Sequence, residues 1–186
     1  TSFPNNFLNR TIPDNMKIFK FGGASINNIE RYINTGNVIK SFSGEKLLIV
    51  VSAMGKTTNA LELVLKNYFE NKAELQSSLQ EVRKYHNEIL LDLFDNENHS
   101  VFKKISNLFD ELNSFFKSNK SPDYNFVYDQ VIGYGELVST LIISEYLNTI
   151  GIKNNWIDVR EQIKTDNYYR RANVNWDETQ RLITAN

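Results

Sequence analysis

One segment limits the possible folds of this chain more narrowly than any other: Lys46 to Ser52, which reads Lys-Leu-Leu-Ile-Val-Val-Ser. A continuous apolar run of this length is typical of a strand covered on both faces in a parallel sheet. A first strand is predicted at Lys17–Phe21, and helical periodicity follows each strand, over residues 27–42 and 60–69. This β-α-β-α order predicts an α/β sandwich with a mainly parallel sheet.

The rest of the chain is predicted to be mostly helical. Two long amphipathic segments, 74–93 and 101–116, are separated by a polar turn, and we expect them to form a helical hairpin inserted beside the sheet at about 72–120. Further elements are predicted as one long helical segment, a third strand and a closing helix: 125–147, 153–159 and 177–183.

Composition excludes several classes of function. The 186 residues are 41% hydrophobic and carry a net charge of −1, so there is no basic field for nucleic acid or a membrane surface, and we expect neither partner. The absence of cysteine fits a reducing compartment, and we expect a cytoplasmic location. His86 and His99 lie among polar and charged residues, which does not suggest a structural zinc site.

Residues 1–15 are mainly polar and contain two prolines. They lack the apolar block of a signal peptide. We therefore predict a flexible N-terminal extension, with Met16 as the natural start.

The first strand runs directly into a glycine pair, with Lys20 close before Gly22 and Gly23. Residues without Cβ atoms let the backbone turn sharply and approach a ligand, and the start of a helix favours anions. Lysine, glycine turn and helix start together suit a phosphate group. A tight turn beside a solvated lysine explains the same residues.

Gly55-Lys56-Thr57 follows the second strand and resembles part of a P-loop. The spacing excludes that motif, because its first glycine would fall at Val50, inside the strand. The segment is instead a polar loop at the carboxyl end of a parallel strand, where α/β sheets bind ligands. The alternative interpretation is a simple turn in which Thr58 or Asn59 caps the next helix.

Charged residues in the second half of the chain provide further candidates. Glu136 lies among apolar residues, so its carboxylate needs a cation, either a structural lysine or arginine or the ammonium of a ligand. Arg171 can grip a carboxylate with its forked guanidinium, and Arg170 is the neighbour it could be confused with. Asp158 and Arg160 could form an ion pair that shapes their loop.

These segments, taken in order, resemble the aspartate kinase family over nearly the whole chain. Its signatures are similar to Lys20-Phe21-Gly22-Gly23-Ala24-Ser25-Ile26, to Ser52-Ala53 followed by Thr58-Asn59, to Gly135-Glu136, and to Asp158-Val159-Arg160 with a later arginine, Arg171. Ala24 replaces the usual threonine, and Asn175 stands where some members carry aspartate.

The resemblance implies the amino acid kinase fold, a three-layer αβα sandwich without a P-loop. It implies ATP- and Mg²⁺-dependent phosphorylation of the β-carboxylate of L-aspartate to 4-phospho-L-aspartate, the first step towards lysine, threonine and methionine. Lys20 would be the catalytic residue and would bind phosphate together with Gly22, Gly23, Ser25 and Ser52. Thr58, Glu136 and Arg171 would bind aspartate.

Residues 16–186 would then form the N-terminal, aspartate-binding part of the kinase domain. We expect such a part to be inactive alone and to bind ATP poorly, and we expect the full-length protein to be a homo-oligomer. Two alternatives stay open at this point: a kinase of the same superfamily acting on glutamate, acetylglutamate, carbamate or uridylate, and a non-catalytic amino-acid-binding regulatory subunit.

Overall fold

The computed structural model describes residues 16–185, and the predicted extension at 1–15 lies outside them. The described part contains two strands and seven α-helices. The strands are β1 (Met16–Phe21) and β2 (Lys46–Val51), and the helices are α1 (Ile29–Lys40), α2 (Thr57–Glu70), α3 (Leu75–Leu93), α4 (Ser100–Ser118), α5 (Tyr124–Ile132), α6 (Tyr134–Thr149) and α7 (Trp176–Ala185). The predicted α/β class and the α3–α4 hairpin are confirmed.

β1 and β2 pair in parallel, with Met16 opposite Lys46 and Phe21 opposite Val51. One face of this sheet packs on the core through Leu47 and Ile49. The other face is open: Ile18, Leu48 and Val50 are 51%, 43% and 46% exposed. The prediction that β2 is covered on both faces is therefore wrong for residues 16–185, because no described element packs over these side chains.

Helix α6 is the centre of the core. It contacts β2, α1, α2, α3, α4 and α5. Its buried residues include Leu137, Val138, Leu141, Ile142 and Leu147. A helix that is apolar around most of its circumference must be enclosed by other elements, and this one fixes the sheet and the hairpin relative to each other.

The predicted helical segment 125–147 is in fact two helices, and the chain breaks between them at Gly133. Glycine destabilises a helix interior by about 1 kcal/mol relative to alanine, so a break is most easily accommodated there. Helix α6 begins directly after it, with Glu136 in its first turn.

The predicted strand at 153–159 is wrong. Between residues 152 and 159 the chain has no assigned strand, although partly buried and exposed residues alternate along it. Trp156 packs against the core and its indole N–H donates a hydrogen bond to Thr140 Oγ1 at 2.9 Å. The alternation therefore reflects packing on α6, and no second strand in the described part pairs with this backbone.

The remaining helix predictions agree with α1, α2 and α7 to within a few residues. None of the helices within residues 16–185 is long and apolar enough to cross a membrane.

Candidate active site

The carboxyl ends of β1 and β2 carry two loops that are hydrogen-bonded to each other. Ser52 N–H donates to Phe21 O at 3.0 Å, and Gly55 N–H donates to Gly23 O at 3.1 Å. Since the strands are parallel and adjacent, both loops lie at the same edge of the sheet, where α/β proteins bind ligands.

The glycine turn is packed too closely for any side chain at Gly23. A Cβ atom placed there would lie 2.5 Å from Ala53 O and 3.1 Å from Gly55 O, both of them backbone atoms. Residues Gly23–Ile26 form a 3-10 turn, in which Ser25 N–H donates to Gly22 O at 2.8 Å. The first α-helix therefore starts slightly later than predicted, at Ile29, with Asn28 as its N-cap.

Lys20 is exposed, and in the sheet register it lies beside Val50 on the open face. Its ammonium group lies next to the glycine turn, since a Cβ added at Gly22 would be 3.6 Å from Lys20 Nζ. The ion pairs formed within residues 16–185 do not include Lys20. A positive charge is thus available at the same edge as the two loops.

Glu136 binds the loop after β2 directly. The side chain is partly buried, and its Oε1 accepts a hydrogen bond from Ala53 N–H at 3.1 Å. One turn further along α6, Ser139 Oγ donates to Ser52 O at 2.7 Å. No ion pair among the described residues includes Glu136, so the structural lysine or arginine considered from the sequence is not found there.

Helix α2 begins beside this cluster. A Cβ at Gly135 would lie 2.9 Å from Ala53 Cβ and 3.3 Å from Thr57 Cγ2, so α6 and the start of α2 are in close contact. Thr58 is partly buried in the first turn of α2. The prediction that Thr58 or Asn59 is the N-cap is wrong, because α2 already starts at Thr57 and its N-cap is Lys56. The Thr57 hydroxyl instead donates back to Met54 O at 2.6 Å.

The two adjacent arginines have different surroundings. The guanidinium of Arg170 lies 4.3 Å from the centre of the Tyr128 ring on α5, which gives it a structural partner. Arg171 is exposed, and its side chain forms no ion pair within residues 16–185. Both belong to a 3-10 turn in which Tyr169 has a φ of +50°, a conformation that bulky residues rarely adopt.

Arg171 is not joined to the strand-end cluster by any hydrogen bond seen in the described part of the chain. The structure thus brings together the glycine turn, Ser52, Thr57–Thr58 and Glu136, with Lys20 at the same edge. Arg171 lies on a separate turn that packs on α5.

Asp158 and Arg160 form the ion pair that the sequence suggested. Arg160 Nε contacts both carboxylate oxygens at 3.0 Å, and Nη2 contacts Oδ2 at 2.6 Å. Burial alone would raise the pKa of Asp158, but the hydrogen bonds and charge of Arg160 outweigh it and hold that pKa below its ordinary value. The guanidinium lies 5.5 Å from the Tyr134 ring, and so anchors the loop to the start of α6.

Sequence reasoning missed His86 and Tyr85 on α3. His86 is fully buried, not surrounded by polar and charged groups as expected. Burial lowers its pKa from 6.5 to about 4, despite the hydrogen bond between Nδ1 and Val82 O at 2.7 Å. The spacing of Val82, His86 and Ile89 places all three on one helix face and could have predicted this burial. His99 instead caps α4, accepting a hydrogen bond from Val101 N–H.

Comparison with known proteins identifies what the chain resembles. Residues 15–185 match the model of the amino acid kinase family. The chain is 32% identical over 165 residues to aspartokinase 1, chloroplastic, of Arabidopsis thaliana, covering 81% of this chain and 27% of that protein. It is 28% identical over 150 residues to the bifunctional aspartokinase/homoserine dehydrogenase 2 of Escherichia coli K12, covering 81% of this chain and 18% of that protein.

The fold has a counterpart among solved structures. Aspartokinase III of E. coli, in complex with aspartate and ADP, superposes with a TM-score of 0.79 at 22% identity, covering 92% of this chain and 37% of that one. The same enzyme in complex with lysine and aspartate gives 0.78 at 23% identity, covering 90% of this chain and 37% of that one. The chain spans less than a third of the two sequence relatives described above.

Proposed function

The chain belongs to the amino acid kinase family, and from this membership and the geometry of the site we propose that the full-length protein is an aspartate kinase. It transfers the γ-phosphoryl group of ATP to the β-carboxylate of L-aspartate. The product, 4-phospho-L-aspartate, feeds the synthesis of lysine, threonine and methionine. Aspartokinase relatives at 28% and 32% identity and the fold of an aspartate- and ADP-bound aspartokinase support this proposal.

The surroundings of the Glu136 carboxylate are the observation on which the proposal mainly rests. Its Oε1 is held by a backbone N–H at the carboxyl end of β2, and no lysine or arginine of the described part pairs with it. A partly buried carboxylate in this position is most stable when a cation completes its surroundings. The ammonium group of an amino acid supplies that cation, and Thr58 in the first turn of α2 is a further contact to aspartate. Arg171 lies on the turn that packs on α5, outside this cluster, and its proposed contact is with a carboxylate of the bound substrate.

The phosphate side of the site is the glycine turn. Lys20 supplies a positive charge, and the turn at Gly22 and Gly23 exposes backbone without side chains. Ser25 and Ser52 add hydroxyl groups to the same two loops. These residues fit a polyphosphate, whose Mg²⁺ neutralises part of its charge when bound. In this proposal Mg²⁺ binds through the phosphates of ATP.

The reaction requires alignment more than proton transfer. The β-carboxylate of aspartate is ionised at neutral pH, so it attacks phosphorus without a general base. The protein then has to hold the two substrates in line and offset the negative charge of the transferring group. Glu136 positions the acceptor, and Lys20 stabilises the charge.

Glu136→Gln tests the assignment of the amino acid site. Glutamine still offers an oxygen to Ala53 N–H, so the loop keeps its anchor while the negative charge is lost. We expect the KM for aspartate to rise by about tenfold or more, since a charged hydrogen bond contributes about 1.5–3 kcal/mol, and the KM for ATP to change little. Steady-state kinetics of the full-length protein with both substrates measure this.

Glu145→Gln is the matched control. It removes a carboxylate of the same helix that is already paired with Lys104. We expect wild-type kinetics from it. Equal increases in both KM values for Glu136→Gln would contradict the assignment, and turnover with glutamate, acetylglutamate, carbamate or uridylate in place of aspartate would replace the proposed substrate.

A further inference from the structure

Tyr85 connects the helical hairpin to both loops of the candidate site. Its hydroxyl donates a hydrogen bond to Asn27 O at 2.9 Å, directly after the 3-10 turn that starts at Gly23. The same oxygen would lie 2.6 Å from a Cβ at Gly55, in the loop after β2. One side chain of α3 thus contacts the chain on both sides of the hydrogen bond between Gly55 N–H and Gly23 O.

The next residue of α3 supports the same loop from inside. The Nδ1 of His86 carries the proton, because the carbonyl of Val82 can only accept it, and Nε2 lies 3.5 Å from Thr57 Oγ1. The Thr57 hydroxyl holds Met54 O, so the imidazole packs against the turn that starts α2. The ring is fixed by edge contacts with Tyr85 and Phe109.

The hydrogen bond from Tyr85 to Asn27 lies beside an opening between α3 and the two loops. A cleft of about 380 Å³ separates α3 from the loops, and its lining includes Asn27, Gly55, Glu81 and Tyr85. The phenol therefore borders this cleft. Removing its hydroxyl leaves the loops bonded to each other but no longer to the hairpin at Asn27.

We propose that Tyr85 is a positioning residue for phosphoryl transfer: it ties the phosphate-binding glycine turn and the aspartate-binding loop to the α3–α4 hairpin. This inference rests on the proposed function. Tyr85 does not need to touch either substrate. Its effect passes through Asn27 and Gly55, which set the distance between the glycine turn and the loop held by Glu136.

Tyr85→Phe in the full-length protein tests the proposal, with Tyr68→Phe as the matched control. The hydroxyl of Tyr68 is also half-buried and hydrogen-bonded, but to Asn119 after α4, away from both loops. Two readouts are compared: steady-state kinetics with aspartate and ATP, and amide hydrogen exchange of peptides covering residues 22–28 and 53–58.

We expect Tyr85→Phe to lower kcat by about two- to tenfold, the range of one hydrogen bond, with smaller changes in both KM values. Exchange in the two peptides should accelerate by a similar factor, while Tyr68→Phe matches the wild type in both readouts. Wild-type exchange or wild-type kcat in Tyr85→Phe would overturn the proposal, as would an equal effect of Tyr68→Phe.

Failure of the proposed function gives a different result. If the wild-type protein does not phosphorylate aspartate, the assignment of function falls, whatever the variants do. The exchange measurement still decides whether Tyr85 fixes the two loops, since it requires no substrate.

Discussion

Packing contacts that the sequence does not show explain why particular residue types stand at the site. Gly22-Gly23 predicted a close approach of the backbone to a ligand. At Gly23 the nearest neighbours are backbone atoms of residues 53 and 55, so the missing Cβ is already required for the two loops to meet. The glycine therefore shapes the site before any ligand binds, and alanine at this position would force the loops apart.

The lowered pKa of His86 leads to a prediction of how the stability of the protein depends on pH. Its folded pKa of about 4 lies below the ordinary 6.5, so between these values the unfolded chain binds a proton that the folded protein does not. The free energy of unfolding that depends on keeping this imidazole neutral is at its full value above pH 6.5. It decreases as the pH falls towards 4, by up to ~1.4 kcal/mol per pH unit. We expect the free energy of unfolding to decrease in that window.

His86→Gln is the variant that checks this expectation, because glutamine does not titrate. Urea unfolding of the full-length protein at several pH values between 4 and 7 gives the slope. The variant should be less stable than the wild type near neutral pH but should show a flatter dependence on pH. An unchanged slope would mean that the buried imidazole is not the group responsible.

Among whole elements, periodicity predicted the helices well and failed where partners decide the structure. Helices α3 and α4 follow from the spacing of their apolar residues. His86 lies on the apolar face of α3, so the same spacing could have predicted its burial. The segment 153–159 has the alternation of a strand, yet a strand exists only with a hydrogen-bonded neighbour, and the sequence of one segment does not specify that neighbour.

The site could be predicted only in part for the same reason. Lys20 and Ser52 lie at the carboxyl ends of the predicted strands and Gly23 comes just after the first one, so their shared edge was foreseeable from parallel pairing. The contact between Glu136 and Ala53 spans 83 positions in sequence, and Tyr85 reaches Asn27 across 58. Nothing in the local pattern around Tyr85 distinguishes it from the other tyrosines, because its role depends on where α3 packs.

For the molecule as a whole, the main exposed apolar surface in the described part is the open face of the sheet. Ile18, Leu48 and Val50 are each more than two-fifths exposed beside Lys20. No element within residues 16–185 covers these side chains, so we expect a polypeptide of residues 1–186 alone to self-associate and to bind a hydrophobic dye. Sedimentation and dye fluorescence, compared with an Ile18→Ser/Leu48→Ser variant, measure this.

The polar variant should sediment as a smaller species and bind less dye. A wild-type polypeptide that remains monomeric at high concentration without binding dye would contradict the expectation. It would show that this face is covered by residues of the chain itself.

The central claim is that Lys20 stabilises the phosphoryl group during its transfer, at the sheet edge where Glu136 holds aspartate. The most direct test is the turnover of the full-length Lys20→Ala variant. Lys17→Ala is its control, since Lys17 lies on the same strand but is paired with Glu45 on the opposite face. We predict that aspartyl phosphate formation falls by about a hundredfold or more in Lys20→Ala, as for other charge-stabilising groups, while Lys17→Ala stays near wild type. Near wild-type turnover of a correctly folded Lys20→Ala protein would contradict the account.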